Sequence, residues 1–307
     1  MKIRSIMALA LGAAIAAPSL IAQANFEPMK FIGDPAVPAW TKGKQGAAMP
    51  AFDEKVTPAT PPPAGLYVAL GDSITWGRGV TINCQPFPAH PVDIASYCPD
   101  GTTYPVLVAM ALRKAGIAGH FMNMGISGGT VDTIIANELP YLPAETTLVT
   151  ISIGGNDSRF VRRKGMTVKD NVKLYEDQYM KLLDMVHQRA PKARIVLVNI
   201  PNYGTISKLG SRFTSDTAVD QQHFDATSQL MTKFVDSLYP KYAVADTMCQ
   251  AYSYDMSVHF EGSAHMTEPG YAQMAKSVLS AIQNPAPPPA KCDHYDAAKA
   301  DALMSMK

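Results

Sequence analysis

Five short runs rich in β-branched and apolar residues, each followed by a longer stretch of helical period, constrain this chain more than any other feature. The runs fall at 66–70, 120–124, 147–153, 194–199 and 242–245, and the helical stretches at 104–115, 130–139, 170–190, 217–238 and 268–283. Strands that read as nearly continuous apolar runs are those buried on both faces, and regular alternation with helices is the signature of repeated βα units. The expectation is an α/β fold of three layers, α/β/α, around a parallel sheet of about five strands. Right-handed crossovers then bring every strand-to-helix loop to one rim, where such sheets place their chemistry.

The flanks read differently. Lys2 and Arg4 precede an apolar stretch from Ile6 to Ile21, and Ala22-Gln23-Ala24 is a small-x-small exit. Residues 1–24 are therefore expected to be a signal peptide, interrupted by Pro18 and too short for a lasting membrane anchor, which makes the mature protein exported, periplasmic or extracellular. Residues 25–65 are rich in Pro, Gly and Ala, end in Pro61-Pro62-Pro63, and form an N-terminal arm without a sustained period. Residues 284–307 open on Asn-Pro-Ala-Pro-Pro-Pro and form a matching C-terminal tail lying on the surface. The span 66–283 between them is expected to be one folded domain. Removing Lys2 and Arg4 from 27 basic residues leaves a near-neutral chain against 26 acidic ones, so nothing points to a nucleic-acid partner.

All four cysteines lie in the exported part, where disulfides persist. Three pairings are possible. The favoured one joins Cys84 with Cys98, closing a loop just after the first βα turn, and Cys249 with Cys292, tying the tail to the body. Loop closure assigns these roughly 3 and 4 kcal/mol. A zinc site is the competing reading, but there is no Cys-x-x-Cys pair and His90 stands alone between Cys84 and Cys98.

On the predicted rim, the first apolar run ends in Gly71-Asp72-Ser73 and leaves Ser73 at the carboxyl end of its strand. A serine hydroxyl needs a base and an oxyanion site before it becomes a nucleophile. Three further blocks reach the same rim: Asn123-Met124-Gly125-Ile126-Ser127-Gly128-Gly129, Ile153-Gly154-Gly155-Asn156-Asp157, and His265-Met266-Thr267-Glu268-Pro269-Gly270-Tyr271. In order and spacing these four blocks resemble the SGNH hydrolases, the GDSL esterase/lipase family, whose sheet is flavodoxin-like. The resemblance covers roughly residues 67–282.

The resemblance implies Ser73 as nucleophile and His265 as general base, with the Ser73 and Gly128 backbone N–H groups and the Asn156 side-chain amide as oxyanion hole. His259 is the other candidate base, but the family's glycine five residues on is matched by Gly270 for His265 and not by Ala264 for His259. One departure stands out. The family's Asp three residues before the histidine is replaced by Gly262, so the imidazole must be oriented by a main-chain carbonyl near Gly262, by Glu261 or by Asp255.

The implied function is a serine esterase or lipase-like hydrolase that cleaves carboxylic esters through an acyl-serine intermediate, with no metal or organic cofactor. Its substrate is a small-molecule, glycan or lipid ester, with the insertion 81–104 as one wall of the pocket. Gly125-Ile126-Ser127-Gly128-Gly129 also satisfies G-x-S-x-G, which leaves an α/β-hydrolase-type esterase using Ser127 as an alternative. A binding module that kept the fold and lost the chemistry is another, prompted by Gly262. Nucleotide binding on a flavodoxin-like sheet, suggested by Gly77 and Gly79, lacks a P-loop Gly-Lys-Ser/Thr.

Overall fold

A computed structural model of the chain describes residues 65–77, 103–115, 118, 120–159, 165–201, 218–250, 265–293 and 295–305, together with the backbone of three short strands at 29–30, 85–86 and 96–97. The expected signal peptide, most of the arm, Cys84, Cys98, Asp255, His259, Glu261 and Gly262 lie outside the described residues. In chain order the elements are β1 (Met29–Lys30), β2 (Leu66–Gly71), α1 (Ser73–Trp76), β3 (Gln85–Pro86), β4 (Ser96–Tyr97), α2 (Tyr104–Lys114), β5 (His120–Asn123) and α3 (Val131–Thr133). They continue with β6 (Thr146–Ser152), α4 (Gly155–Arg159), α5 (Val168–Arg189), β7 (Arg194–Val198), α6 (Ala218–Ser237), β8 (Ala243–Ala245), α7 (Glu268–Gln283), β9 (Lys291–Cys292), β10 (Tyr295–Asp296) and α8 (Ala297–Ala300).

Five strands form a parallel sheet in the order β5-β2-β6-β7-β8, and β1 adds an antiparallel edge beside β5, Met29 opposite Phe121 and Lys30 opposite His120. This is the expected three-layer α/β/α arrangement with one short strand added at the edge. β2 and β6 are the two central strands of the six, and every residue of β2 is buried. The path runs from β2 outward to β5, then reverses and proceeds through β6, β7 and β8. With right-handed crossovers, that reversal puts α2 on one face and α3, α5 and α6 on the other. α7 follows β8 and packs against α2, while α5 packs against α6. The reversal opens a crevice between the carboxyl ends of β2 and β6, the position at which open α/β sheets bind ligands.

The predicted helix at 130–139 takes a different course. α3 is a single turn capped by Thr130, whose hydroxyl and backbone are both engaged with Thr133, and it loosens into a π-helical turn at Ile134–Glu138 before a 3-10 turn at Leu139–Tyr141. Pro140 lies at the start of that last turn, where its missing N–H forces no break but prevents a regular α-helical ladder from continuing. The wider π turn carries Glu138 into the interior, where it is fully buried.

The tail is attached at two levels. The Pro-rich stretch 284–291 is largely exposed, but Cys292 is disulfide-bonded to Cys249, with Cα atoms 5.6 Å apart, as the favoured pairing requires. Beyond it Tyr295 is buried, and Ala300 joins Val168, Val172, Ala226 and Leu230 in a small cluster separate from the main core, with Leu303 and Met304 packed on it. Near the other expected disulfide, β3 and β4 pair antiparallel with Gln85 opposite Tyr97.

Candidate active site

The register of β2 and β6 sets Gly71 opposite Ser152, so the two loops that leave these strands start side by side. From Gly71 the chain turns directly into α1, whose N-cap is Asp72; its carboxylate accepts from the Ile74 N–H at 2.9 Å. This sharp strand-to-helix turn delivers Ser73 to the crevice. Gly71 has φ +154° and no room for a side chain: a Cβ there would lie 2.2 Å from Thr75 Oγ1 and 2.3 Å from the Ser152 carbonyl.

His265 stands just before α7, whose N-terminal turn contains Glu268 and Pro269 with Thr267 at the N-cap, as the sequence pattern predicts. His265 Nε2 lies 3.0 Å from Ser73 Oγ, although 192 residues separate them. The hydroxyl that meets this imidazole is thus the one at the end of β2.

The two remaining blocks close around that pair. After β5, Ile126 N–H donates to the Gly71 carbonyl at 2.9 Å, and Gly129 N–H donates to Ile126 at 2.9 Å, which forms a turn containing Ser127 and Gly128. Gly128 has φ +83°, a conformation that disfavours L side chains. After β6, Asn156 emerges on the first turn of α4 and its Nδ2 donates to the Gly129 carbonyl at 2.8 Å. An amide nitrogen has two N–H groups, so anchoring one leaves the other available to a ligand. Ser73, Gly128, Asn156 and His265 therefore share one rim. The three candidates for orienting the histidine, Asp255, Glu261 and Gly262, lie outside the described residues.

Sequence reasoning missed the polar frame beneath the rim. Asn123, the last residue of β5, donates to the Thr75 carbonyl at 2.7 Å and accepts from Gly125 N–H at 3.1 Å, bracing α1 against the Gly128 loop. Asp157, next to Asn156, accepts from Val131 N–H at 3.2 Å, and its carbonyl accepts from Asn171 Nδ2 at 3.0 Å. Glu138 Oε2 accepts from the Gly71 N–H at 3.0 Å. Burial pushes the Asp72 carboxyl up to about 7, assisted by the nearby Asp157 charge, and burial pushes Glu138 well above the usual carboxylate range. Asp72 and Asn123 could have been noticed as the polar ends of apolar strands; Glu138, in a helical pattern, reads as an ordinary surface residue.

Below the end of β7 a second network holds the segment that leads toward the histidine. Asn199 Nδ2 donates to Asp236 at 2.9 Å and to Asp246 at 3.3 Å, while its Oδ1 accepts from Thr247 N–H at 2.6 Å and Met248 N–H at 3.0 Å. Asp246 also accepts from Cys249 N–H at 3.1 Å. Among the described residues no group of three or more His, Cys, Asp or Glu is arranged to hold a metal ion, and no helix is long and apolar enough to cross a membrane.

The model of the GDSL-like Lipase/Acylhydrolase family matches residues 69–273, which covers most of the chain and all four rim blocks. The chain belongs to this family, and it is an esterase or lipase-like hydrolase with the three-layer SGNH fold. No curated protein matches it. Among solved structures it is similar to an acetyl xylan esterase variant from Geobacillus stearothermophilus, at 19% identity over 75% of this chain and 97% of that one, with a TM-score of 0.50. It is also similar to phospholipase A1 from Streptomyces albidoflavus NA297, at 19% identity over 73% and 100% of the two chains, TM-score 0.49. An extracellular lipase from Streptomyces rimosus shares 22% identity over 70% and 99%, TM-score 0.47. At 19% identity the first of these likenesses speaks to the fold alone.

Proposed function

We propose that this protein is an exported serine esterase that cleaves carboxylic esters through an acyl-enzyme on Ser73, with His265 as general base. The observation that carries this reading is the 3.0 Å separation of Ser73 Oγ and His265 Nε2 at the crevice between β2 and β6. That is hydrogen-bond reach for proton transfer, and it lies at the position where the fold presents ligands.

His265 Nε2 takes the Ser73 hydroxyl proton as Oγ attacks the ester carbonyl, and the carbonyl π electrons move to oxygen. The oxyanion is met by the Ser73 and Gly128 backbone N–H groups and the Asn156 amide, donors whose positions are set before substrate arrives. Collapse breaks the bond to the alcohol, which leaves with the proton from the imidazolium. Water then gives a proton to His265 and attacks the acyl carbon; the Oγ–acyl bond breaks, Oγ recovers the proton and the carboxylic acid departs. Every step uses protein groups and water alone.

Acetylated glycans, short-chain esters and lipid esters are the substrate classes this reading admits. Export rests on the composition of residues 1–24, with the Cys249–Cys292 disulfide suiting an oxidising compartment. The test is labelling with a fluorophosphonate probe alongside turnover of p-nitrophenyl acetate. The wild type is expected to label at Ser73 and turn over; Ser73→Ala should abolish both, and Ser127→Ala should preserve both. Full turnover by Ser73→Ala, or loss confined to Ser127→Ala, would overturn the assignment, and a folded wild type inert in both assays would indicate a binding module.

A further inference from the structure

A parallel strand directs the N–H and C=O of one residue to the same neighbour. The Gly71 carbonyl accepts from Ile126 N–H on the β5 side, so the Gly71 N–H faces that side as well. β5 ends at Asn123, however, and the chain swings into the turn that holds Gly128, so the ladder stops short of Gly71. The orphaned donor is met at 3.0 Å by Glu138 Oε2. Glu138 is fully buried, and among the described residues its other oxygen, Oε1, has no hydrogen-bond partner, so the Gly71 N–H is the one group seen to hold the carboxyl there. It arrives there on the π-helical turn Ile134–Glu138, the irregularity that interrupts the expected helix. Such single π turns recur at functional sites.

We infer that Glu138 is a positioning residue: by holding the Gly71 peptide from below, it fixes both the turn that carries Ser73 and the loop that carries Gly128. The Gly71 unit is the shared point of the two, since its carbonyl anchors Ile126 and Ser73 follows two residues later. This inference rests on Ser73 acting as the nucleophile. What Glu138 supplies is an acceptor in a fixed place, and burial together with the neighbouring Asp72 charge favours its neutral form. A glutamine, which offers the same acceptor without ionising, should therefore replace it.

The experiment compares the wild type with Glu138→Gln, Glu138→Leu and Glu138→Asp in kcat and KM on p-nitrophenyl acetate, in the rate of fluorophosphonate labelling, and in melting temperature. Glu138→Leu is expected to lose about 10- to 100-fold in kcat and labelling rate with KM little changed, the scale of an ångström-sized misplacement of reacting groups. Glu138→Gln should stay within about threefold of the wild type, since its acceptor is unchanged. Wild-type kcat in a folded Glu138→Leu, or an equal loss in a folded Glu138→Gln, overturns the inference. If Glu138→Leu does not fold, Glu138→Asp decides: the carboxyl withdrawn by one methylene should lower kcat, and an unchanged kcat refutes the role. Mapping the label in the wild type separates the two failures. Labelling away from Ser73 removes the nucleophile assignment itself, whereas labelling at Ser73 with indifferent variants removes only the role of Glu138.

Discussion

Asn156 donates its side-chain amide to the carbonyl of Gly129, 2.8 Å away, so the loop after β6 and the loop after β5 are tied together directly above the crevice. The same bond fixes which way the remaining amide N–H points. A donor preset in this way contributes to the transition state without reorganising.

Asn156→Ala is therefore expected to lower kcat by about two to three orders of magnitude, equivalent to roughly 3 to 4 kcal/mol of transition-state stabilisation. Steady-state kinetics on a soluble ester checks this, with a melting curve to establish that the variant is folded. An unchanged kcat would remove the residue from the oxyanion site.

Two glycines of the rim should respond differently to alanine. At Gly71 a Cβ would fall 2.2 Å from Thr75 Oγ1 and 2.3 Å from the Ser152 carbonyl, and the second of these is backbone that cannot step aside. Gly128 has φ +83° but nothing within 4 Å of a Cβ, so Gly128→Ala meets only the conformational penalty, on the order of 1 to 2 kcal/mol. Thermal denaturation should rank Gly71→Ala far below Gly128→Ala; equal melting temperatures would contradict the packing at the turn that leads into Ser73.

Asp236 gives the fold a measurable pH dependence. Burial pushes its carboxyl up to about 7, against the opposing effect of the Asn199 amide and with help from the neighbouring Asp246 charge. A carboxyl raised above its unfolded value binds its proton more tightly when folded. Its contribution to stability is full below about pH 4 and is lost as pH rises through about 7. Asp236→Asn keeps an acceptor for Asn199 and cannot ionise, so the difference in melting temperature between wild type and variant should shift in the variant's favour between pH 4.5 and 7.5. A difference that does not change over this range would refute the raised pKa.

Replacing Cys249 and Cys292 together by serine should cost about 4 kcal/mol, the loop-closure value for the 43-residue separation. The readout is the denaturant midpoint of the double variant against the oxidised wild type. A midpoint unchanged by the double replacement would show that the bond does not restrain the unfolded chain.

Much of this fold could be read before any coordinates. The strands stood out because they are buried on both faces and so appear as unbroken apolar runs, as 66–70 and 195–198 do. α7 was marked by the Thr267-Glu268-Pro269 start as well as by its period. The residues that come together at the rim were legible through the four blocks that resemble the SGNH hydrolases, with Ser73 and Asn156 on the first turns of α1 and α4 and His265 just before α7. The departures have local causes. β1 is two residues long, too short to establish a period. At 130–139 the apolar spacing is helical, yet the helix loosens into a π turn whose last residue, Glu138, meets a donor on a strand 67 residues earlier, a partner that local spacing does not reveal. The Asn199–Asp236–Asp246 network was hidden for the same reason: polar residues at an element's end look solvated until a neighbouring segment covers them.

The two-level attachment of the tail has a practical corollary. A protease that cut within the exposed proline-rich stretch at 284–291 would leave the last residues joined through Cys292 to Cys249 and seated on α5 and α6 by Ala300. Such a nicked molecule would migrate as one species until a reductant was added, and then as two. Intact mass under non-reducing conditions would differ from the uncut chain only by the water taken up at the scissile peptide.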